Sequence, residues 1–121
     1  MIEGAGGKRL PVAFYRTDRG RQPVREWLKS LNDEDKRRIG EDIKTVEFEW
    51  PVGMPICKPL GEGLFEIRTN LTSDRIARIL FCPLGDQMVL LHGFIKKSQA
   101  TPKRELDLAH ERKAALEGDS A

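Results

Sequence analysis

Arg68, Arg78 and His92 stand in three short apolar runs, at residues 64–69, 76–82 and 88–95. A guanidinium grips a phosphate through two parallel hydrogen bonds. An imidazole changes charge near neutral pH and so gives or takes protons there. Cleaving RNA without a metal means making the ribose 2′-hydroxyl attack its neighbouring phosphate. That step needs a proton acceptor, a proton donor for the leaving oxygen, and cations for the charge that builds on phosphorus. His92, Arg68 and Arg78 are the residue types for those tasks. Lys58, Lys96 and Lys97 flank them as groups that hold the strand or donate a proton, Arg75 adds a cation, and Phe94 offers a ring on which a base can stack. Each has a plainer reading: His92 as a hydrogen-bonded strand histidine, the arginines as surface cations paired with Glu66 or Glu62, Phe94 as core.

The three runs must be strands for these groups to meet. They are rich in Ile, Leu, Val and Phe, and turn residues separate them: Asn70 with Ser73 and Asp74, then Pro83 with Gly85 and Asp86. That reads as an antiparallel meander. Side chains alternate along a strand, so Phe65 and Ile67 oppose Glu66 and Arg68. Ala77, Ile79 and Phe81 oppose Ile76, Arg78 and Leu80. Val89, Leu91, Gly93 and Ile95 oppose Leu90, His92, Phe94 and Lys96. If the apolar sets share a buried face, Arg68, Arg78 and His92 share the other.

The remaining elements cover that sheet. Residues 1–9 read as a loose leader, and residues 10–16 have strand character, with Pro11 suiting an edge. Pro23 opens a helix striped by Val24, Trp27, Leu28 and Leu31. Asn32 caps a second helix, with Asp33, Glu34 and Asp35 in its first turn and Ile39, Ile43, Val46 and Trp50 along its apolar side. Thr101 as N-cap and Pro102 as first residue start a last helix, in which Leu106, Ala109 and Leu116 face inward and Gly118 ends the run, leaving 118–121 frayed. The expected fold is α+β, one domain over residues 1–121: a mainly antiparallel sheet of three to four strands, two N-terminal helices on one face, and a C-terminal helix.

Composition narrows the function classes. The 121 residues carry a net charge of only +2. Residues 58–104, however, hold eight basic residues (Lys58, Arg68, Arg75, Arg78, Lys96, Lys97, Lys103, Arg104) against four acidic ones (Glu62, Glu66, Asp74, Asp86). A cationic face on a near-neutral chain fits a polyanionic partner. Cys57 and Cys82 make neither a disulfide framework nor a metal-ligand pattern, so no metal or cofactor is expected and the compartment reads as a reducing cytoplasm. No apolar run spans a bilayer, and the N-terminus has no apolar signal core.

The segments Lys58-Pro59-Leu60, Gly63-Leu64-Phe65-Glu66-Ile67-Arg68, Arg78-Ile79-Leu80-Phe81 and Leu91-His92-Gly93-Phe94-Ile95-Lys96-Lys97-Ser98-Gln99-Ala100-Thr101-Pro102 resemble a HigB/RelE-type toxin, with the phage-derived HigB-like branch the best match. The resemblance covers about half the chain; the N-terminal helices match in pattern only. It implies a RelE-like small domain that cuts mRNA, usually on the ribosome, and is silenced by a cognate antitoxin, often of the helix-turn-helix type. It maps the site onto Arg68, Arg78, His92 and Lys58. RelE-like members often place a tyrosine near the C-terminus; this chain has only Tyr15, so that mechanism does not carry over. A gyrase-inhibiting toxin of the ParE kind, and an inactive antitoxin-binding relative, are the alternatives from other classes.

Overall fold

A computed structural model describes residues 7–120, with side chains to Gly118. The element order is β1 (Val12–Phe14), α1 (Pro23–Ser30), α2 (Asp33–Glu49), β2 (Cys57–Gly61), β3 (Leu64–Asn70), β4 (Ile76–Leu84), β5 (Gln87–Lys96) and α3 (Lys103–Ser120). The strands form one sheet in the order β1-β5-β4-β3-β2. All neighbours are antiparallel except β1 and β5, whose parallel pairing follows from the helical crossover between them. The domain is α+β, as the patterning predicts. The sheet has five strands because residues 57–61, which read as a loop before the first strand, pair with β3: Lys58 lies opposite Glu66.

Two cores sandwich the sheet. α1 and α2 cover one face, where Ile67, Ala77, Ile79, Phe81, Met88 and Leu90 pack with Val24, Ile39 and Val46. Trp50, at the end of α2, stands edge-on to Phe65 and Phe81, at ring-centroid distances of 5.0 and 5.7 Å. Asp42 of α2 accepts from the Thr69 hydroxyl at 2.7 Å, and the Asn32 side chain caps α2 by accepting from Asp35 N–H at 2.8 Å. α3 covers part of the other face, where Leu64, Leu80, Cys82, Val89, Leu91 and Phe94 meet Leu106, Ala109 and Leu116. Gly118 does not end α3, which runs on to Ser120.

Strict alternation fails within β5. Phe81 pairs with Leu90 and Leu80 with His92, so Leu91 is a bulge with no opposite number on β4. A bulge shifts the parity of everything beyond it. Met88 and Leu90 therefore point toward α1 and α2 with Gly93 and Ile95, while Val89 and Leu91 share the other face with His92, Phe94 and Lys96. The sequence-based faces put Leu91 with Gly93 and Leu90 with His92; the bulge reverses both.

Some of the outward-facing donors of the two edge strands are already taken. On β2 the Cys57 N–H is taken by Gly53 O at 3.1 Å, and Pro59 has no N–H to offer. On β1 the Val12 N–H donates to the Glu47 carboxylate at 2.8 Å. Lys8 and Arg9, expected in a loose leader, are held: Lys8 pairs with Glu47 at 3.2 Å and Arg9 N–H donates to Glu47 O at 2.7 Å. Residues 1–6 and Ala121, the rest of the segments expected to be flexible, lie outside the described residues.

Gly93 sits under α1. A Cβ there would stand 2.6 Å from two ring atoms of Trp27, far inside van der Waals contact. Gly93→Ala should therefore cost about 1–3 kcal/mol by overpacking, read as a lower urea midpoint, and the loss should shrink in a Trp27→Leu background. Equal stability of Gly93→Ala and parent would show that the indole swings aside freely.

Candidate active site

The face shared with α3 gathers the charged residues of β3, β4 and β5. Glu66 is its centre. It is fully buried, one strand position from the helix-facing Phe65 and Ile67. Arg68, two residues on and so on the same face, donates to Glu66 Oε1 at 3.0 Å. Arg78 lies directly across from Arg68 in the β3–β4 register, also fully buried, with Nε 3.8 Å from Glu66 Oε2. That separation is an ion pair and too long for a hydrogen bond. The Thr101 hydroxyl donates to Glu66 Oε2 at 2.6 Å. Two guanidiniums thus share one carboxylate, leaving an excess positive charge in a dry setting.

Residues 98–101 roof this cluster with acceptors. Ser98 O accepts from Arg78 Nη2. Gln99 accepts from Arg68 Nη2 through its side-chain oxygen at 3.1 Å, and its carbonyl lies 3.4 Å from both terminal nitrogens of Arg68. Arg78 keeps two buried nitrogens, Nε and Nη1, without a hydrogen-bond partner. Burial, then the neighbouring Arg68, push the Arg78 guanidinium down from its usual pKa, and Glu66 opposes them.

His92 forms the second half of the site. Its Nε2 lies 2.6 Å from Glu105 Oε1 on the first turn of α3. Lys96 Nζ and Arg104 Nε each lie 3.9 Å from Glu105 Oε2. Phe94 joins the halves: its ring stacks 5.6 Å from the imidazole of His92, and the guanidinium of Arg78 sits 5.7 Å from its centroid. Arg68, Arg78, Phe94 and His92 therefore run in contact across three strands.

The structure brings together most of the residues singled out by type, with different exposure. Arg78 is sealed under Ser98, and Phe94 is only 7% exposed, which leaves little ring for a base. Arg68 is mostly covered, Lys96 is half-buried, and Lys58 lies opposite Glu66 on the same face of β2. Lys97 is exposed and lines a cleft of about 470 Å³ with Asn70, Asp74, Arg75 and Gln99. A neighbouring cleft of about 560 Å³ runs from Arg68 and Gln99 past Asn70 to Arg38 and Met54. Arg75 is committed to α2, gripping Asp35 with two bonds of 2.8 and 3.1 Å.

Glu105, Thr101, Gln99 and Ser98 were not singled out as site residues, and Glu66 only as an ion-pair partner. The i, i+2 spacing of Glu66 and Arg68 was the available signal for the first. Thr101 read as an N-cap, but its hydroxyl is spent on Glu66, and Pro102 takes the capping place, its carbonyl accepting from Glu105 N–H at 3.1 Å. Among the described residues no three His, Cys, Asp or Glu side chains gather closely enough to share a metal ion, and no helix is long and apolar enough to cross a membrane.

Residues 26–114 match the family model described as Phage derived protein Gp49-like (DUF891). No curated protein matches the chain. The matched span begins within α1 and ends within α3, so it contains every residue of the site.

Two outcomes follow from these ion pairs. Glu66→Gln should destabilise the fold by about 3–5 kcal/mol, the usual result of removing one partner from a buried charge network, read by denaturant unfolding; an unchanged midpoint would mean that water already compensates both arginines. The Arg75 hydrogen bonds hold the Asp35 carboxyl below its usual pKa, against the opposing effect of burial. A depressed folded pKa contributes stability at neutral pH that disappears as pH falls through the depressed value. Arg75→Met should flatten that acid-side slope of stability against pH, and an identical slope would show that the pair is uncoupled from folding.

Proposed function

The chain belongs to the Gp49-like family of phage-derived proteins, and from that premise we propose that it is the toxin of a toxin–antitoxin pair, acting as a metal-independent endoribonuclease on mRNA at the ribosome. The observation that carries this reading is the buried excess of positive charge at Arg68 and Arg78, with two unpartnered guanidinium nitrogens, joined through Phe94 to a His92–Glu105 pair. One half is built for an anion and the other for a proton.

With Nε2–H donated to Glu105, the lone pair of His92 lies on Nδ1, and that nitrogen takes the proton of the ribose 2′-hydroxyl. The 2′-oxygen attacks phosphorus, the bond to the 5′-oxygen breaks, and a 2′,3′-cyclic phosphate and a 5′-hydroxyl result. Arg68 holds the non-bridging oxygens through its fork. Arg78 joins it, and both are free to do so once Ser98 and Gln99 move off, since Ser98 O occupies an acceptor position on Arg78 and the two oxygens of Gln99 occupy those on Arg68 that phosphate oxygens would take. The departing 5′-oxygen is protonated by Lys96 or Lys58, the lysines of the same face, and Lys97 holds the strand. A cognate antitoxin, often of the helix-turn-helix type in such systems, blocks this face.

Purified protein on programmed ribosomes, with 5′-end mapping of the message, tests the reading. Parental protein should cut. His92→Ala should lose about 10²–10⁴-fold in rate and Arg68→Ala about 10²–10³-fold, both with native circular dichroism. Arg68→Lys should recover little, because an ammonium does not reproduce the two-pronged grip. Folded parental protein that leaves mRNA intact while inhibiting gyrase supercoiling would overturn it.

A further inference from the structure

His92 faces the arginines only because of the bulge at Leu91. With strict alternation it would share a face with Leu90, which packs under α1 and α2. A bulge leaves backbone groups outside the ladder, and a buried carbonyl without a partner is costly. Leu91 is fully buried, and its carbonyl accepts from Arg112 Nη1 of α3 at 2.8 Å. The same guanidinium lies over the ring of Tyr15, 5.5 Å from its centroid. Tyr15 is itself fixed beside the bulge, its N–H donating to Leu90 O at 3.0 Å.

Arg112 does not stand alone on its helix. Glu105, Ala109 and Arg112 are spaced i, i+4, i+7 and line one stripe of α3. Ala109 is fully buried against β5, so the helix approaches the strand closely. Glu105 takes the imidazole of His92 at 2.6 Å, and Arg112 takes the carbonyl just before it. One helix stripe thus grips two consecutive residues of β5, one by its side chain and one by its backbone.

We propose that Arg112 is a positioning residue for the proposed ribonuclease: by capping the Leu91 carbonyl it holds the β5 bulge, and through it the aim of His92 toward Arg78. The inference rests on the reading of His92 as the proton-transfer group. The groups facing the imidazole are Glu105 and Arg104 from α3, Lys96 from β5 and Arg78 from β4 by way of Phe94. Arg112 is not among them, so its effect on His92 passes through the backbone.

The test uses Arg112→Met, of similar length and without donors, Arg112→Lys, which keeps one charged donor, and Lys113→Met as a control on the next position of α3. Two readouts are taken. Nitrogen-15 spectra of the His92 ring report the Nε2–Glu105 hydrogen bond whether or not the protein cuts RNA. Cleavage on programmed ribosomes gives kcat and KM separately. Arg112→Met should move the His92 ring signals away from parental positions and lower kcat by about 10–10²-fold, the scale expected for a misplaced catalytic group, with KM within about twofold. Arg112→Lys should restore part of both, and Lys113→Met should match the parent. Parental ring signals in folded Arg112→Met overturn the proposal, even if the rate falls. If Arg112→Met does not fold, parental ring signals and kcat in Arg112→Lys overturn it, and partial displacement of both supports it. A parental protein that cuts no RNA, with ring signals that still respond to Arg112, would sink the ribonuclease reading and leave the positioning contact standing.

Discussion

The contact on which the site depends is the burial of Glu66 between two arginines. A carboxylate removed from water is tolerated only when charge and hydrogen bonds replace its hydration. Arg68 supplies a bond of 3.0 Å, Thr101 one of 2.6 Å, and Arg78 a longer-range ion pair at 3.8 Å. The dependence runs both ways: two guanidiniums on facing positions of β3 and β4 would repel each other in a low-dielectric interior without the carboxylate. Thr101 extends the reach of this network, since its hydroxyl ties the segment leading into α3 to the middle of the sheet.

That tie determines what α3 can do. Once residues 98–101 are anchored over the arginines, the first turn of α3 falls beside His92, and Glu105 meets the imidazole. Further along, Ala109 allows close approach and Arg112 reaches the bulge. The second core, formed by Leu80, Val89, Leu91, Leu106 and Leu116, supplies the apolar contact beneath these polar grips. Hydrophobic burial here is non-directional, whereas the bonds from Glu105 and Arg112 fix which residues of β5 lie under which turn of the helix.

β5 carries conflicting demands and meets them with two local devices. Its first half must give Met88 and Leu90 to the core under α1 and α2, and its second half must present His92, Phe94 and Lys96 to the opposite face. The Leu91 bulge changes the parity between the halves. Gly93, two residues on, then leaves room for the indole of Trp27 to lie against the backbone.

Much of this was written in local periodicity. The 3.6-residue stripe of Val24, Trp27 and Leu28, the Asn32 cap, and the inward set of Leu106, Ala109 and Leu116 are decided by neighbours within two turns, so the sequence alone places them. The alternation of Glu66 and Arg68 against Phe65 and Ile67, and of Arg78 against Ile79, is equally local and puts both arginines on the face opposite α1 and α2. What the sequence alone did not decide involves groups far apart along the chain. Whether residues 57–61 form a strand depends on β3 being there to pair with. The bulge at Leu91 is chosen because both halves of β5 must satisfy separate cores, a condition no window of ten residues contains. Glu105 became the partner of His92, and Ser98 and Gln99 the cover of the arginines, only when α3 packed on the sheet. Periodicity specifies which face a side chain takes; which polar groups then meet across that face is set by the tertiary packing, because hydrogen bonds need positions fixed to fractions of an ångström.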